Sequence, residues 1–264
     1  MAQLIHKQLS YTVRGVLIDV YNQLGPLLPE KIYQKAITYG LREHGISCTP
    51  EKQFEVSYRN ISAGKYYVDH WLEEGKIIFE IKVAPKIMPI HQAQTISYLK
   101  LTNADLAIIA NFGAKSFEDQ RLPNFIRDKT AKFQWQSPPL GKDILYAELT
   151  EGILKVLYQV YVILGPGFIH RIYQRAVMIE LQYQNLGYEY INKIQLYYHK
   201  HYLDVQSVRV IKVENKVLLG VFAISSIDEV MQVRMKTRLK QFNMKLGILA
   251  NFYGNQLELK IVRI

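Results

Sequence analysis

Apolar residues Leu9, Val13, Val16, Leu17, Val20 and Leu24 recur at spacings of three and four, which predicts an amphipathic helix that stops at Gly25-Pro26. A second helix is predicted from near Pro29 to about Gly45. The period then changes to two. Phe54 to Tyr58, Tyr66 to Leu72 and Ile77 to Val83 read as strands, the last two joined as a hairpin across Glu73-Glu74-Gly75-Lys76. Pro89 suits the first turn of another helix running to about Thr102, and Ala104 to Phe112 is an apolar run of strand length. Helices, three strands, a helix and a strand, in that order, predict an α/β domain with a mixed β-sheet flanked by helices.

The pattern occurs twice. Leu24-Gly25-Pro26 through Ile32-Tyr33-Gln34-Lys35-Ala36 returns as Leu164-Gly165-Pro166 through Ile172-Tyr173-Gln174-Arg175-Ala176, at an offset of 140. The same offset relates Leu99-Lys100 to Leu239-Lys240 and Ala110-Asn111-Phe112 to Ala250-Asn251-Phe252. Two tandem copies of one domain, 1–130 and 144–264, therefore fill the chain. Gly113 to Asp143 reads as a domain tail followed by a linker over 131–143 that contains Pro138-Pro139.

Composition narrows the class. The 264 residues are 49% hydrophobic and 21% charged, which excludes disordered and fibrous chains. No apolar stretch approaches the length of a membrane span, so no membrane partner is expected. The single Cys48 and the absence of a leader pattern at the start point to the cytoplasm. A net charge of +10 favours a polyanionic partner.

Candidate chemistry lies on the predicted hairpin. A two-residue turn at Glu74-Gly75 pairs residues whose numbers sum to 149, placing Asp69 opposite Glu80. Opposed carboxylates destabilise a sheet unless something compensates, and a divalent cation does so. Strand alternation puts Glu80 and Lys82 on one face and Phe79, Ile81 and Val83 on the other. Hard oxygen donors suit Mg²⁺ or Mn²⁺, and a neighbouring lysine can orient a metal-bound water, so the chemistry indicated is phosphodiester hydrolysis. Glu-x-Lys alone is uninformative, since it also occurs at Glu74/Lys76, Glu214/Lys216 and Glu258/Lys260. A salt-bridged cluster on a solvated hairpin face is the alternative. Gln94 and Tyr98, four apart on the next helix, share a face with His91 one turn earlier. Glu30, in the first turn of its helix, is equally consistent with a carboxylate that complements the helix dipole.

Gly25, Glu30 and Tyr33, then Asp69, Glu80-Ile81-Lys82 and the segment from His91 to Lys100 resemble the GxxExxY proteins, a branch of the PD-(D/E)XK nuclease superfamily. The resemblance covers roughly Leu9 to Arg127. It implies two tandem nuclease-like domains, with Asp69 and Glu80 as metal ligands and the Ile81 carbonyl as a further one. It also implies that Lys82 positions the attacking water, that Glu30 is a helix-borne acid near the metal, and that Gln94 and Tyr98 support the site. The Gln94 to Tyr98 spacing is similar to that of RecB-like nucleases.

In the second copy every candidate group is replaced. Glu30 becomes His170, Asp69 becomes Arg209, Glu80 becomes Gly220, Lys82 becomes Phe222, Gln94 becomes Arg234 and Tyr98 becomes Arg238. This copy reads as a degenerate nuclease domain. Arg234, Arg238 and Lys240 give its last helix a basic face, the candidate nucleic-acid contact. The expected function is a Mg²⁺- or Mn²⁺-dependent nuclease acting on DNA in preference to RNA, with one site and an intramolecular pseudo-dimer of the two copies. The competing reading is a non-catalytic nucleic-acid-binding or protein-interaction module built on a nuclease fold.

Overall fold

The computed structural model describes residues 5–124, 136 and 144–264. Apart from Gln136, the expected linker lies outside the described residues. Among those described, 5–56 and 65–124 form one compact unit, and 57–64, 136 and 144–264 form the other.

The first repeat runs α1 (Lys7–Leu24), α2 (Glu30–Glu43), β1 (Cys48–Tyr58), β2 (Ile61–Leu72), β3 (Ile77–Lys82), α3 (Pro89–Thr102), β4 (Leu106–Asn111) and β5 (Glu118–Pro123). Its strands lie in the order β1-β2-β3-β4-β5. β3 runs parallel to β4 and antiparallel to β2, so the sheet is mixed as predicted. The parallel pair requires a crossover, and α3 supplies it.

Alternation along β3 divides the core. Phe79 and Ile81 pack with Val13, Leu17, Tyr33, Ile37 and Leu41 of α1 and α2. Ile78 packs instead with Val68 of β2 and with Tyr98 and Leu99 of α3. Burying each such side chain contributes about 1.5–3 kcal/mol, which anchors β3 between two helical layers and fixes its register.

Elements of the second repeat fall at the same offset of 140: α4 (Ala147–Leu164), α5 (His170–Tyr183), β6 (Tyr188–Tyr198), β7 (His201–Val213), β8 (Val217–Phe222), α6 (Glu229–Gln241), β9 (Leu246–Asn251) and β10 (Glu258–Arg263). Its sheet order is β10-β9-β8-β7-β6, again with one parallel pair, β8 and β9. β5 corrects the expectation that Gly113 to Asp143 is only a domain tail and linker, and β10 is its counterpart in the second copy. Each pairs antiparallel along its whole length, with β4 and β9 respectively.

Several residues common to both copies are structural. Gly25 and Gly165 end their helices at φ 71°, a positive φ that glycine adopts without a Cβ penalty. Tyr33 Oη donates to Gly25 O at 2.6 Å and accepts from Leu28 N at 3.0 Å. Tyr173 does the same with Gly165 O at 2.7 Å and Phe168 N at 3.1 Å. Both rings stack on a phenylalanine, Phe112 or Phe252. Asn111 Oδ1 accepts from Ala84 N at 3.0 Å and Gly113 N at 3.1 Å, and Asn251 repeats this with Ile224 N and Tyr253 N. Each amide ties the end of its strand, β4 or β9, to the loop that leads from β3 into α3 or from β8 into α6.

Candidate active site in the first repeat

The site is built on the β2–β3 hairpin. Its ladder pairs His70 with Phe79, Trp71 with Ile78 and Leu72 with Ile77, so paired numbers sum to 149. The connection is a single 3₁₀ turn over Glu73–Gly75 within a four-residue loop, not a two-residue turn. Both loops share one midpoint, and the register is therefore the same. The ladder ends at His70, one step short of Asp69. Asp69 Oδ2 instead accepts a 2.9 Å hydrogen bond from Ile81 N, and Glu80 accepts one of 2.7 Å from Lys82 Nζ.

The pair is desolvated. Glu80 is 7% exposed. Burial, followed by the charge of Asp69, pushes its carboxyl up to about 8, against a smaller opposing pull from Lys82. Burial also raises Asp69, with Ile81 N–H and Lys82 opposing. The Lys82 ammonium is held above its usual range by Glu80 and Asp69, which outweigh its own burial. A buried acid and a half-buried one that feel each other beside a single ammonium form an undercompensated cluster.

Glu30, the first residue of α2, lines a cavity of about 180 Å³ with Asp69, Ile81, Lys31, Gln34 and Glu51. The sequence reading missed Glu51. It lies exposed on β1 in a left-handed conformation at φ 49°, and no periodicity marks it. Gln34 was missed as well. Its side chain donates to Asp69 O at 3.4 Å, and its backbone carbonyl accepts from His70 Nε2 at 3.2 Å. His70 is buried against Phe79, with ring centroids 3.9 Å apart, and Thr38 Oγ1 lies 3.1 Å from its Nε2. This inner network holds the segment that carries Asp69.

On α3, Gln94 donates to Tyr98 Oη, and Tyr98 Oη meets Tyr66 Oη of β2. Both phenols are raised first by burial and then by the Glu80 charge, which places this polar chain beside Glu80. Tyr66 was not anticipated. His91 stands apart from these roles: its Nδ1 accepts from Met88 N at 3.2 Å and caps α3.

The donor set is suited to a hard divalent cation. It offers carboxylate oxygens with no sulfur or imidazole, and the mutual repulsion of Asp69 and Glu80 is what a cation relieves. With Asp69 turned to Ile81 and Glu80 to Lys82, no group of three or more His, Cys, Asp or Glu side chains is gathered for one ion among the described residues.

In the second repeat the place of Glu80 is closed. A Cβ on Gly220 would lie 2.7 Å from Phe222 Cε2 and 3.2 Å from Leu249 Cδ2, so the ring at the lysine position fills the carboxylate's space. Arg234, Arg238 and Lys240 lie on α6, with Arg234 and Lys240 exposed and Arg238 half-buried. Burial and then Arg234 hold the Arg238 guanidinium below its ordinary value.

The sequence matches the PD-(D/E)XK nuclease superfamily over residues 7–122 and again over 147–264. The chain belongs to that superfamily. Both matched spans carry the superfamily's fold as a five-stranded mixed sheet with flanking helices, and only the first keeps the acids and lysine together. A solved structure described as "Crystal structure of SSO0001" is similar at 16% identity and a TM-score of 0.28, over 35% of this chain and 49% of its own. The match thus spans about half the length of that protein. No curated protein matches the chain. Among the described residues, no helix is long and apolar enough to cross a membrane.

Proposed function

We propose that the chain is a divalent-metal-dependent nuclease that hydrolyses phosphodiester bonds, in DNA in preference to RNA, with a single site in the first of two domains, 1–130 and 144–264. One observation supports this reading above the others. Between the repeats the scaffold contacts of Tyr33, Tyr173, Asn111 and Asn251 are duplicated, whereas among the described residues the Asp69, Glu80 and Lys82 cluster occurs in the first repeat alone. A carboxylate pair with one member buried and the other half-buried weakens the fold, so its presence in one copy against a well-filled apolar alternative in the other fits a chemical role.

In this proposal Asp69 and Glu80 hold Mg²⁺ or Mn²⁺, with the Ile81 carbonyl as a further ligand and Glu30 close by. When bound, the ion supplies a nucleophilic water at neutral pH and neutralises charge on the phosphate. Lys82, anchored by Glu80, orients the attacking water and shields its developing charge. Gln94 and Tyr98 hold the Glu80 side of the site in position. The second copy, with Arg234, Arg238 and Lys240 on α6, serves binding, and its pairing with the first copy as a pseudo-dimer belongs to the same proposal.

Labelled single- and double-stranded DNA and RNA, incubated with Mn²⁺ or with EDTA, test the reading. Metal-dependent cleavage that is lost in Lys82→Ala and Glu80→Ala supports it. Binding without cleavage favours the non-catalytic module instead. Arg234→Ala with Arg238→Ala is expected to weaken binding and to reduce the salt slope by about two phosphate contacts.

A further inference from the structure

A cavity of the second repeat partly overlaps the position of the acidic one, sharing three of its six lining positions through the offset of 140, and the charge at the shared positions changes from mixed to basic. Arg171, Gln174, Met178, Tyr190, Asn192 and Arg209 line a space of about 320 Å³. Through the offset of 140, Arg171, Gln174 and Arg209 stand where Lys31, Gln34 and Asp69 line the acidic cavity. Glu30 and Glu51 become His170 and Ile191, so three carboxylates disappear, and the one lysine is answered by two arginines.

Arg209 is held in place without being neutralised, and Arg171 is exposed beside it on the cavity rim. Arg209 Nη1 donates to His170 Nε2 at 3.3 Å. Burial, then Arg209 and Arg171, depress the His170 imidazolium. Gln174 is buried, and its side chain donates to Arg209 O and to Val221 O, both at 3.3 Å. Arg209 itself adopts a left-handed conformation, φ 49°, which is rare for a residue with a side chain. Among the described residues neither Arg171 nor Arg209 forms an ion pair with a carboxylate. His170 and Arg171 also open α5, whose N-cap residue Ile169 offers no side-chain cap, so the positive end of the helix dipole adds to the field.

We propose that this cavity binds a phosphate group through Arg171 and Arg209, the lost cation site having become an anion site. Guanidinium forks match phosphate oxygens in pairs, Asn192 and Tyr190 add polar edges, and the volume holds a phosphoryl group with several waters at about 30 Å³ each. A strand's backbone phosphate and free inorganic phosphate share this chemistry.

Two probes separate these sources, both in EDTA so that cleavage plays no part: inorganic phosphate by calorimetry, and a 3′-labelled single-stranded DNA 12-mer by anisotropy. Arg171→Gln/Arg209→Asn, in which asparagine tolerates the left-handed backbone, is expected to weaken one or both probes at least about tenfold. A loss confined to DNA identifies a strand phosphate, and loss of phosphate binding identifies the free anion. If the double variant misfolds, Arg171→Gln alone, on the exposed first turn, is expected to cost about threefold or more. Arg175→Gln, one turn along α5 and off the cavity, should leave both affinities unchanged. Unchanged binding in folded cavity variants, or an equal loss in Arg175→Gln, would overturn the proposal. Neither result depends on whether the first repeat cleaves anything.

Discussion

The carboxylate of Asp69 reaches across the hairpin to the backbone amide of Ile81, 2.9 Å away, next to Glu80 and not directly opposite it. One acid is thereby fixed by the strand that carries the other. Asp69→Asn retains an oxygen able to accept from Ile81 N but removes the charge. Its thermal midpoint should stay close to that of the parent, while metal-dependent cleavage falls by about 100-fold or more. A folded Asp69→Asn protein with parental activity would remove Asp69 from the chemistry.

Glu80 sets a pH signature of the metal-free protein. Its folded-state pKa of about 8 lies above the ordinary 4.5, so the folded chain keeps a proton that the unfolded chain releases. That contribution is fully present below about pH 4.5 and is lost as pH rises towards 8, at no more than about 1.4 kcal/mol per pH unit. Glu80→Gln should therefore gain on the parent between pH 5 and 8 in EDTA, and added Mn²⁺ should narrow the gap. Parallel stability curves for the two proteins would contradict the assignment.

The scaffold reading predicts matched effects in the two copies. Tyr33→Phe and Tyr173→Phe each strip a hydroxyl that serves one donor and one acceptor, and each should cost about 1–3 kcal/mol in urea melts. Glu30→Ala and His170→Ala should be nearly neutral in the same melts. A large loss in Glu30→Ala alone would make that glutamate structural.

Gly220→Glu recreates the acid in the second copy and should fail as a repair. Its side chain collides with the Phe222 ring and enters an apolar environment, so a loss of about 2 kcal/mol or more is expected. An unchanged melting curve would show that the vestigial site retains room for a ligand.

The fold was legible where pattern and covalent geometry act together. The offset of 140 survives because scaffold contacts such as Tyr33 to Gly25 are needed in each copy. The register of β2 on β3 was legible because apolar alternation admits one alignment, even though the turn differs from the type assumed. β5 was not legible. Its half-buried, charge-rich sequence Glu-Asp-Gln-Arg-Leu-Pro fits an edge strand and carries neither a strand nor a helix period. Glu30, Asp69, Glu80 and Lys82 stood out as charges interrupting apolar context or opening a helix. Glu51, Gln34 and Arg171 did not, because exposed or commonplace polar residues become informative only when the fold brings them to one cavity.

The most direct test of the single-site account is a calorimetric titration of the intact chain with Mn²⁺. One ion per chain should bind, and binding should disappear in Asp69→Asn and in Glu80→Gln while Arg209→Asn leaves it unchanged. No saturable binding, or binding indifferent to Asp69 and Glu80, would contradict the account.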